Sequence, residues 1–365
     1  MSRVKFTVFN IILITLMVVL VVMLRQKPDL ASKTVAVSTS GSVSERQENL
    51  VKLTSLLNET IQKDLPGIVV WGDSLTAGSG GKGVNYPLVL QNLIHQQVYP
   101  NIPVENMGVP GETSRTIVGR AGSIPYVVNN FRIPKNTSKV EIHLTSSAGG
   151  PVAPLRRGEK GLNPVKIDGV QGIISIDQET TKSKNFTYYF ERLKSGKAVS
   201  VNKGTLVEPA LVNEFKNYLP IIFIGQNGGY QDNQQLVDQI KSIVNMEKYN
   251  ERYLVLGLTT GTAESRSDLE KLMETEFGTK YVNLREEISS KGMEIAGVTP
   301  NKEDVLAMKM GSVPPSLLSD KVHFNAKGYE VIGEIVFERM QELGYFDSVQ
   351  KLVKEMKALK ITGAE

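Results

Sequence analysis

Residues 67 to 83 read GIVVWGDSLTAGSGGKG. The short β-branched run Ile68-Val69-Val70-Trp71, bounded by glycine on both sides, predicts a buried strand, and the small polar residues just past it predict the start of a helix. Ser74 then stands at a strand-to-helix turn, where unpaired backbone N–H groups converge and negative charge is favoured. Such a turn suits a nucleophile. It suits a plain helix cap equally well, the usual job of an isolated Gly-Asp-Ser. The rest of the chain has to supply what a serine needs in order to react.

Working outward, a helix is predicted over about Asn49 to Lys63, where Leu50, Leu53, Leu56, Leu57 and Ile61 recur at helical spacing. After the glycine-rich turn a second helix is predicted from Tyr86 to Val98, with Leu90, Leu93 and Ile94 on one face, then a strand near Val104. From roughly Val127 to Val207 the grammar changes to short alternating runs, VEIHL, VKIDG, GIISID, FTYYFERL and AVSV, separated by Gly, Pro, Asn and Lys, which is the pattern of β-hairpins. Strand and helix alternation resumes at Leu219-Pro-Ile-Ile-Phe-Ile224, with helices near 233 to 247, 264 to 276 and 328 to 343 and strands at YLVLGL and KYVNL. The expectation is an α/β fold, a three-layer parallel sheet covered by helices on both faces, interrupted by a β-rich insertion.

At the N-terminus, Arg3 and Lys5 precede an apolar stretch from about Phe6 to Leu24. Its length approaches the ~20 residues a helix needs to cross a bilayer and exceeds a cleavable signal core. Residues 1–27 therefore read as a membrane-spanning signal anchor with the bulk of the chain outside, and residues 28–46, polar and small, as a linker. Residues 47–126 and 208–365 make up the α/β domain in two parts around an insertion at 127–207.

The 365 residues are 41% hydrophobic and 22% charged, with a formal charge of +4 spread along the chain. With no long basic block, nucleic acid is not an expected partner. The chain has no cysteine, which excludes a thiol nucleophile, a disulfide framework and thiolate metal sites. Its three histidines, His95, His143 and His323, lie in unrelated segments without metal-ligand spacing. Neither a metal nor another cofactor is expected.

A serine hydroxyl becomes nucleophilic when a base takes its proton and a third group orients that base. Near the C-terminus the chain reads LLSDKVHFNAKGYEVIGE, with Asp320 three residues before His323 and a strong helix following. On one loop this spacing lets the carboxylate reach imidazole Nδ1 and leaves Nε2 free for a serine on another loop. In α/β sheets such loops open beyond the carboxyl ends of the strands. His95, inside a helix, and His143, in the β-rich stretch, read as structural. An oxyanion hole requires donors aimed at the charge that forms on attack. Candidates are the Ser74 N–H, the N–H of Gly111 in VPGETS, and the side-chain amide of Asn227 in FIGQNGGY. Asp73 and Thr76 read as braces of the first turn.

Gly72-Asp73-Ser74-Leu75, the Gly111 block preceded by Asn106, Asn227 behind Gly225, and Asp320-x-x-His323 resemble, in order, the four blocks of the SGNH (GDSL) hydrolases. The resemblance covers about residues 66 to 120 and 218 to 345. It implies a flavodoxin-like SGNH fold, a triad of Ser74, His323 and Asp320, and oxyanion donors from Ser74, Gly111 and Asn227. One departure stands out, since that family usually has aspartate after the third-block asparagine and here Gly228 follows Asn227. The function implied is a serine ester hydrolase working through an acyl-enzyme. Its substrate would be an acyl ester, such as an O-acetyl group on cell-envelope carbohydrate. Two alternatives remain open: an O-acetyltransferase using the same residues, and an inactive surface-binding protein.

Between Arg132 and Lys203 basic residues outnumber acidic ones roughly twofold, Arg156, Arg157, Lys160, Lys182 and Lys184 among them. A solvated face is one reading. The other is a module that grips an anionic or sugar polymer, with Tyr188, Tyr189 and Phe190 available for stacking.

Overall fold

The computed structural model describes residues 43–178, 186–246 and 251–361. The predicted anchor over 1–27 and linker residues 28–42 lie outside these. The last linker residues are instead the first turn of helix α1 (Val43–Asp64). Among the described residues no helix is long and apolar enough to cross a membrane.

After α1 come strand β1 (Ile68–Gly72), the single-turn helix α2 (Ser74–Ala77), α3 (Tyr86–Gln97), β2 (Val104–Gly108) and α4 (Ser114–Arg120). The β-rich unit follows with β3 (Tyr126–Val128), β4 (Phe131–Ile133), β5 (Val140–Ile142), β6 (Leu144–Ser146) and β7 (Val165–Ile167). It ends with β8 (Val170–Gln178), β9 (Phe186–Arg192), β10 (Val199–Val201) and β11 (Leu206–Pro209). The chain then returns through α5 (Leu211–Glu214), β12 (Leu219–Phe223), α6 (Asn233–Val244), β13 (Leu254–Leu256), α7 (Ala263–Phe277) and β14 (Tyr281–Val282). Four more helices close it: α8 (Leu284–Ile295), α9 (Lys302–Lys309), α10 (Ala326–Glu342) and α11 (Asp347–Ile361).

Five parallel strands form one sheet in the order β2-β1-β12-β13-β14. All five residues of β1 are buried, and alternation of side chains explains why the run is apolar without a break. Ile68 and Val70 join a core with residues of α1, α3, α8, α10 and α11. Val69 and Trp71 point the other way, into a core with α4, α6 and α7. Helices thus cover both faces. The strand order reverses at β1, which has β2 on one side and β12 on the other, and ligands of open α/β sheets bind beyond the carboxyl ends of strands at such a switch point.

The β-rich unit has its own core, built on Tyr126, Ile133, Ile167, Ile174, Phe190 and Val207 among others. Seven of its strands pair antiparallel in the order β5-β9-β8-β7-β11-β3-β6, and β4 and β10 form a separate ribbon. VEIHL, expected as one strand, splits at His143 into β5 and β6, which lie at opposite ends of this order. One exposed residue separates the two outermost strands, so the sheet must curl until its edges approach each other. Full curling removes unpaired edges, which otherwise invite pairing with other chains.

Candidate active site

The turn after β1 is fixed from several directions. Asp73 caps α2 by accepting the Leu75 N–H at 3.0 Å, which satisfies one of the free donors of a helix start. Thr76 Oγ1 and Tyr86 OH share a buried hydrogen bond of 3.0 Å. Asn106, on β2, donates to Thr76 O at 2.8 Å and accepts the Gly108 N–H at 2.9 Å. The expected bracing roles of Asp73 and Thr76 thus correspond to hydrogen bonds, and Asn106 adds a third. Ser74 ends up only 6% exposed.

The loop carrying His323 is assembled differently. One Asp320 oxygen, Oδ1, accepts the Val322 and His323 N–H groups, both at 2.8 Å, and the other, Oδ2, lies 2.8 Å from His323 Nδ1. Ser319 N–H donates to His323 O at 2.8 Å. Asn325 caps α10 by accepting the Gly328 N–H at 3.0 Å. Two contacts dock this loop on the serine turn. Tyr329 OH donates to Ser79 O at 2.7 Å, and Gly80 leaves room for the loop, since a Cβ there would sit 2.0 Å from Ser319 Oγ. His323 Nε2 then lies 2.9 Å from Ser74 Oγ. The two side chains are 249 positions apart in the chain. An imidazole bonded through Nδ1 to a carboxylate and through Nε2 to a hydroxyl is in position to remove the hydroxyl proton.

The third and fourth predicted residues come from the ends of β2 and β12. Gly111 has φ +73, a conformation that glycine adopts without strain. Among the described residues neither the Ser74 nor the Gly111 N–H has a protein acceptor. Asn227 Nδ2 donates to Asp73 Oδ2 and to Glu112 O, each at 3.1 Å, so this amide joins the serine turn to the Gly111 turn. With Gly228 in place of an acidic residue, the Asn227 loop is held through its backbone: Gly228 O accepts the Ser114 N–H at 2.9 Å and Ser114 Oγ–H at 3.0 Å. The structure therefore brings Ser74, His323, Asp320, Gly111 and Asn227 to one end of the sheet. His95 lies elsewhere, with Nε2 2.9 Å from Ile102 O, and His143 is an exposed neighbour of Glu141 in the β-rich unit.

The two aspartates of the site have opposite electrostatics. Hydrogen bonds from the His323 backbone, then its ring, then the Val322 backbone hold the Asp320 carboxyl down at about 2. Burial pushes Asp73 up to about 6, although the Leu75 N–H opposes the shift. Glu112 is raised from its ordinary value by burial, against the pull of Arg120.

Glu112 and Arg120 were not expected from the sequence. Arg120 is 1% exposed. Its Nη2 reaches Glu112 Oε2 at 2.6 Å and Met107 O at 2.9 Å, its Nη1 reaches Lys160 O at 3.0 Å, and its guanidinium lies 5.3 Å from the Trp71 ring centroid. This cation ties the Gly111 turn, the end of β2 and the β-rich unit together. Leaving one partner of such a buried pair alone costs several kcal/mol, roughly 3–5. Eight residues of separation do not mark the pair in a sequence.

Beside the Gly111 turn a cavity of about 650 Å³ opens between the two units, lined by Val109, Gly111, Val152, Arg156, Arg157 and Phe186 among others. The stacking residues expected there are different ones. Tyr188 and Phe190 share one face of β9 and are buried in the core of the β-rich unit, Tyr188 OH donating to Pro154 O at 2.8 Å. Lys160 Nζ donates to Asn106 O at 3.1 Å. Lys182 and Lys184 lie outside the described residues. No group of three or more His, Asp or Glu able to hold a metal ion occurs among the described residues.

A scan of the chain against protein-family models finds no match, and a search of curated proteins finds none either.

Proposed function

We propose that this protein is a serine ester hydrolase of the SGNH type, acting through an acyl-enzyme on Ser74. The observation that carries the reading is the hydrogen-bond chain from Ser74 Oγ through His323 Nε2 and Nδ1 to Asp320 Oδ2. The strand order, second, first, third, fourth, fifth within the parallel sheet, is that of flavodoxin-like doubly wound folds and supports the assignment.

In the proposed reaction His323 Nε2 takes the Ser74 proton as Oγ bonds to the ester carbonyl carbon. The carbonyl oxygen gains negative charge, which the N–H groups of Ser74 and Gly111 receive, with the Asn227 amide as third donor once it turns from Glu112 O. The bond from carbon to the alcohol oxygen then breaks, and the alcohol leaves with the proton from His323. Water, deprotonated by the same imidazole, attacks the acyl-enzyme and releases the acid and free Ser74. Asp320 stays ionised and holds the ring in the productive tautomer. Because the base must be neutral, acid pH lowers turnover.

The sequence supports the substrate class. An apolar stretch over residues 6–24 followed by a polar linker tethers the catalytic unit outside a membrane, where acyl esters of envelope carbohydrate are at hand. Reaction of the full chain with a fluorophosphonate probe, followed by peptide mapping, tests the reading. Modification at Ser74, abolished in Ser74→Ala together with acetate release from an ester panel, is expected. Equal inertness of wild type and Ser74→Ala towards probe and panel overturns it.

A further inference from the structure

The cavity beside the Gly111 turn has an arginine placed where an ordinary surface residue would not be. The Arg157 guanidinium covers Gly111: a Cβ built on that glycine would lie 2.7 Å from Arg157 Nη1 and 2.9 Å from Cζ. The side chain comes from the β-rich unit yet ends over a residue of the other unit, at the mouth of a cavity both units line. Arg157 is exposed and forms no ion pair with any described carboxylate. Next to it the Arg156 guanidinium stands 5.0 Å from the Phe186 ring centroid, within the same wall. Arg115 approaches the rim, its Nη1 2.7 Å from a Cβ built on Gly150, the neighbour of the lining residue Pro151. Among the described residues only one acidic residue lines the cavity, Glu112, and its carboxylate is taken up by Arg120.

We propose that this cavity is an anion-binding subsite in which Arg157 grips a carboxylate or phosphate carried by the acylated carbohydrate, next to the ester that Ser74 attacks. Two properties of the site support this assignment. A guanidinium presents a planar fork of N–H donors that matches both anions and binds them bidentately. The walls contributed by Val109, Val152, Leu155 and Phe186 are apolar, so an ion pair formed against them is screened less than one in open water. Gly111, favoured there by its positive φ, also leaves the guanidinium room to lie against the turn that carries the proposed oxyanion donor.

The inference rests on the ester-cleaving reading for what lies beside the anion, but binding tests it separately. The full chain carrying Ser74→Ala, in detergent, is titrated calorimetrically with trigalacturonate, with its uncharged methyl ester, and with a glycerol phosphate trimer. At least one anionic probe is expected to bind about tenfold or more tightly than the methyl ester, as charge-assisted hydrogen bonds provide, with affinity falling as salt rises. Comparison of the carboxylate and phosphate probes identifies the anion. Arg157→Gln is expected to erase the preference and Arg157→Lys to retain part of it. Lys203→Gln, the same charge change elsewhere in the β-rich unit, is expected to retain it in full. Equal affinity for charged and neutral probes, or a preference that survives Arg157→Gln, overturns the subsite. Ester turnover without the preference sinks the subsite alone. The Arg157-dependent preference in a chain whose wild type neither cleaves esters nor takes the fluorophosphonate sinks the esterase reading and leaves the subsite standing.

Discussion

The turn carrying Ser74 and the loop carrying His323 meet at a single hydrogen bond, yet they are held in opposite ways. Ser74 is 6% exposed, braced by Asp73, Thr76, Asn106 and Tyr86 within the main core. The Asp320 side chain is 56% exposed and that of His323 28%, and their loop takes its shape from three hydrogen bonds to one carboxylate. The serine is therefore placed by packing and the imidazole by local bonding. Substitutions on the two sides ought to fail differently, one through the fold and the other through geometry alone.

The largest effects test whether the two sides act as a unit. Ser74→Ala and His323→Ala are each expected to lower kcat for an acetyl ester by roughly 10⁴-fold or more, and the double variant by no more than either alone. A double variant whose loss is the product of the two would break the unit. Asp320→Asn comes next, with an expected loss of about 10²–10⁴ in kcat and little change in KM. Because Asp320 also shapes its loop, the amide resonances or crystal structure of that variant must retain the loop for the loss to count as orientation of the imidazole.

Asn227→Ala is expected to cost about 10² in kcat. Loss in KM alone, with kcat intact, would make this residue a tie between turns and nothing more.

The smallest effect separates the two aspartates by pH. Asp320, held at about 2, contributes stability that is present above its unfolded value, roughly 3.9, and is lost as pH falls toward 2. The Tm advantage of wild type over Asp320→Asn is thus expected to shrink between pH 5 and pH 2. Asp73, raised to about 6 by burial, opposes folding above pH 6, and the penalty fades as pH falls below that value. The Tm of Asp73→Asn minus that of wild type is therefore expected to be higher at pH 8 than at pH 5. Parallel pH trends for the two variants would erase the contrast.

Residues whose partners are close in sequence, or whose environment is set by a strand end, were readable from the chain alone. Asp320 and His323 share a loop, and Ser74, Gly111 and Asn227 each follow an apolar run. The alternating pattern of β9 likewise implies that Tyr188 and Phe190 share a face, and the core of the β-rich unit claimed that face before any ligand could. The Glu112–Arg120 pair was not readable because eight residues of separation match no helical or strand contact spacing that would mark it, and the approach of Arg157 to Gly111 was not readable because it depends on how the β-rich unit seats on the sheet. Helix α11 has a helical apolar spacing at Val349, Leu352, Val353, Met356 and Leu359, but its neighbour in the fold is α1, at the other end of the described chain. On α9, Val305 and Leu306 remain exposed, so that helix carries no apolar stripe, only the capping box of Asn301 and Asp304 at its start.

Arg120 turns a juxtaposition of two cores into a mechanical dependency. Because one guanidinium clamps Glu112 while reaching across to a carbonyl of Lys160, excising the β-rich unit as a cassette would strip a ligand from the clamp under the Gly111 turn. Anyone transplanting that unit into another protein would have to graft a carbonyl at the same spot, or watch the neighbouring groove lose its shape.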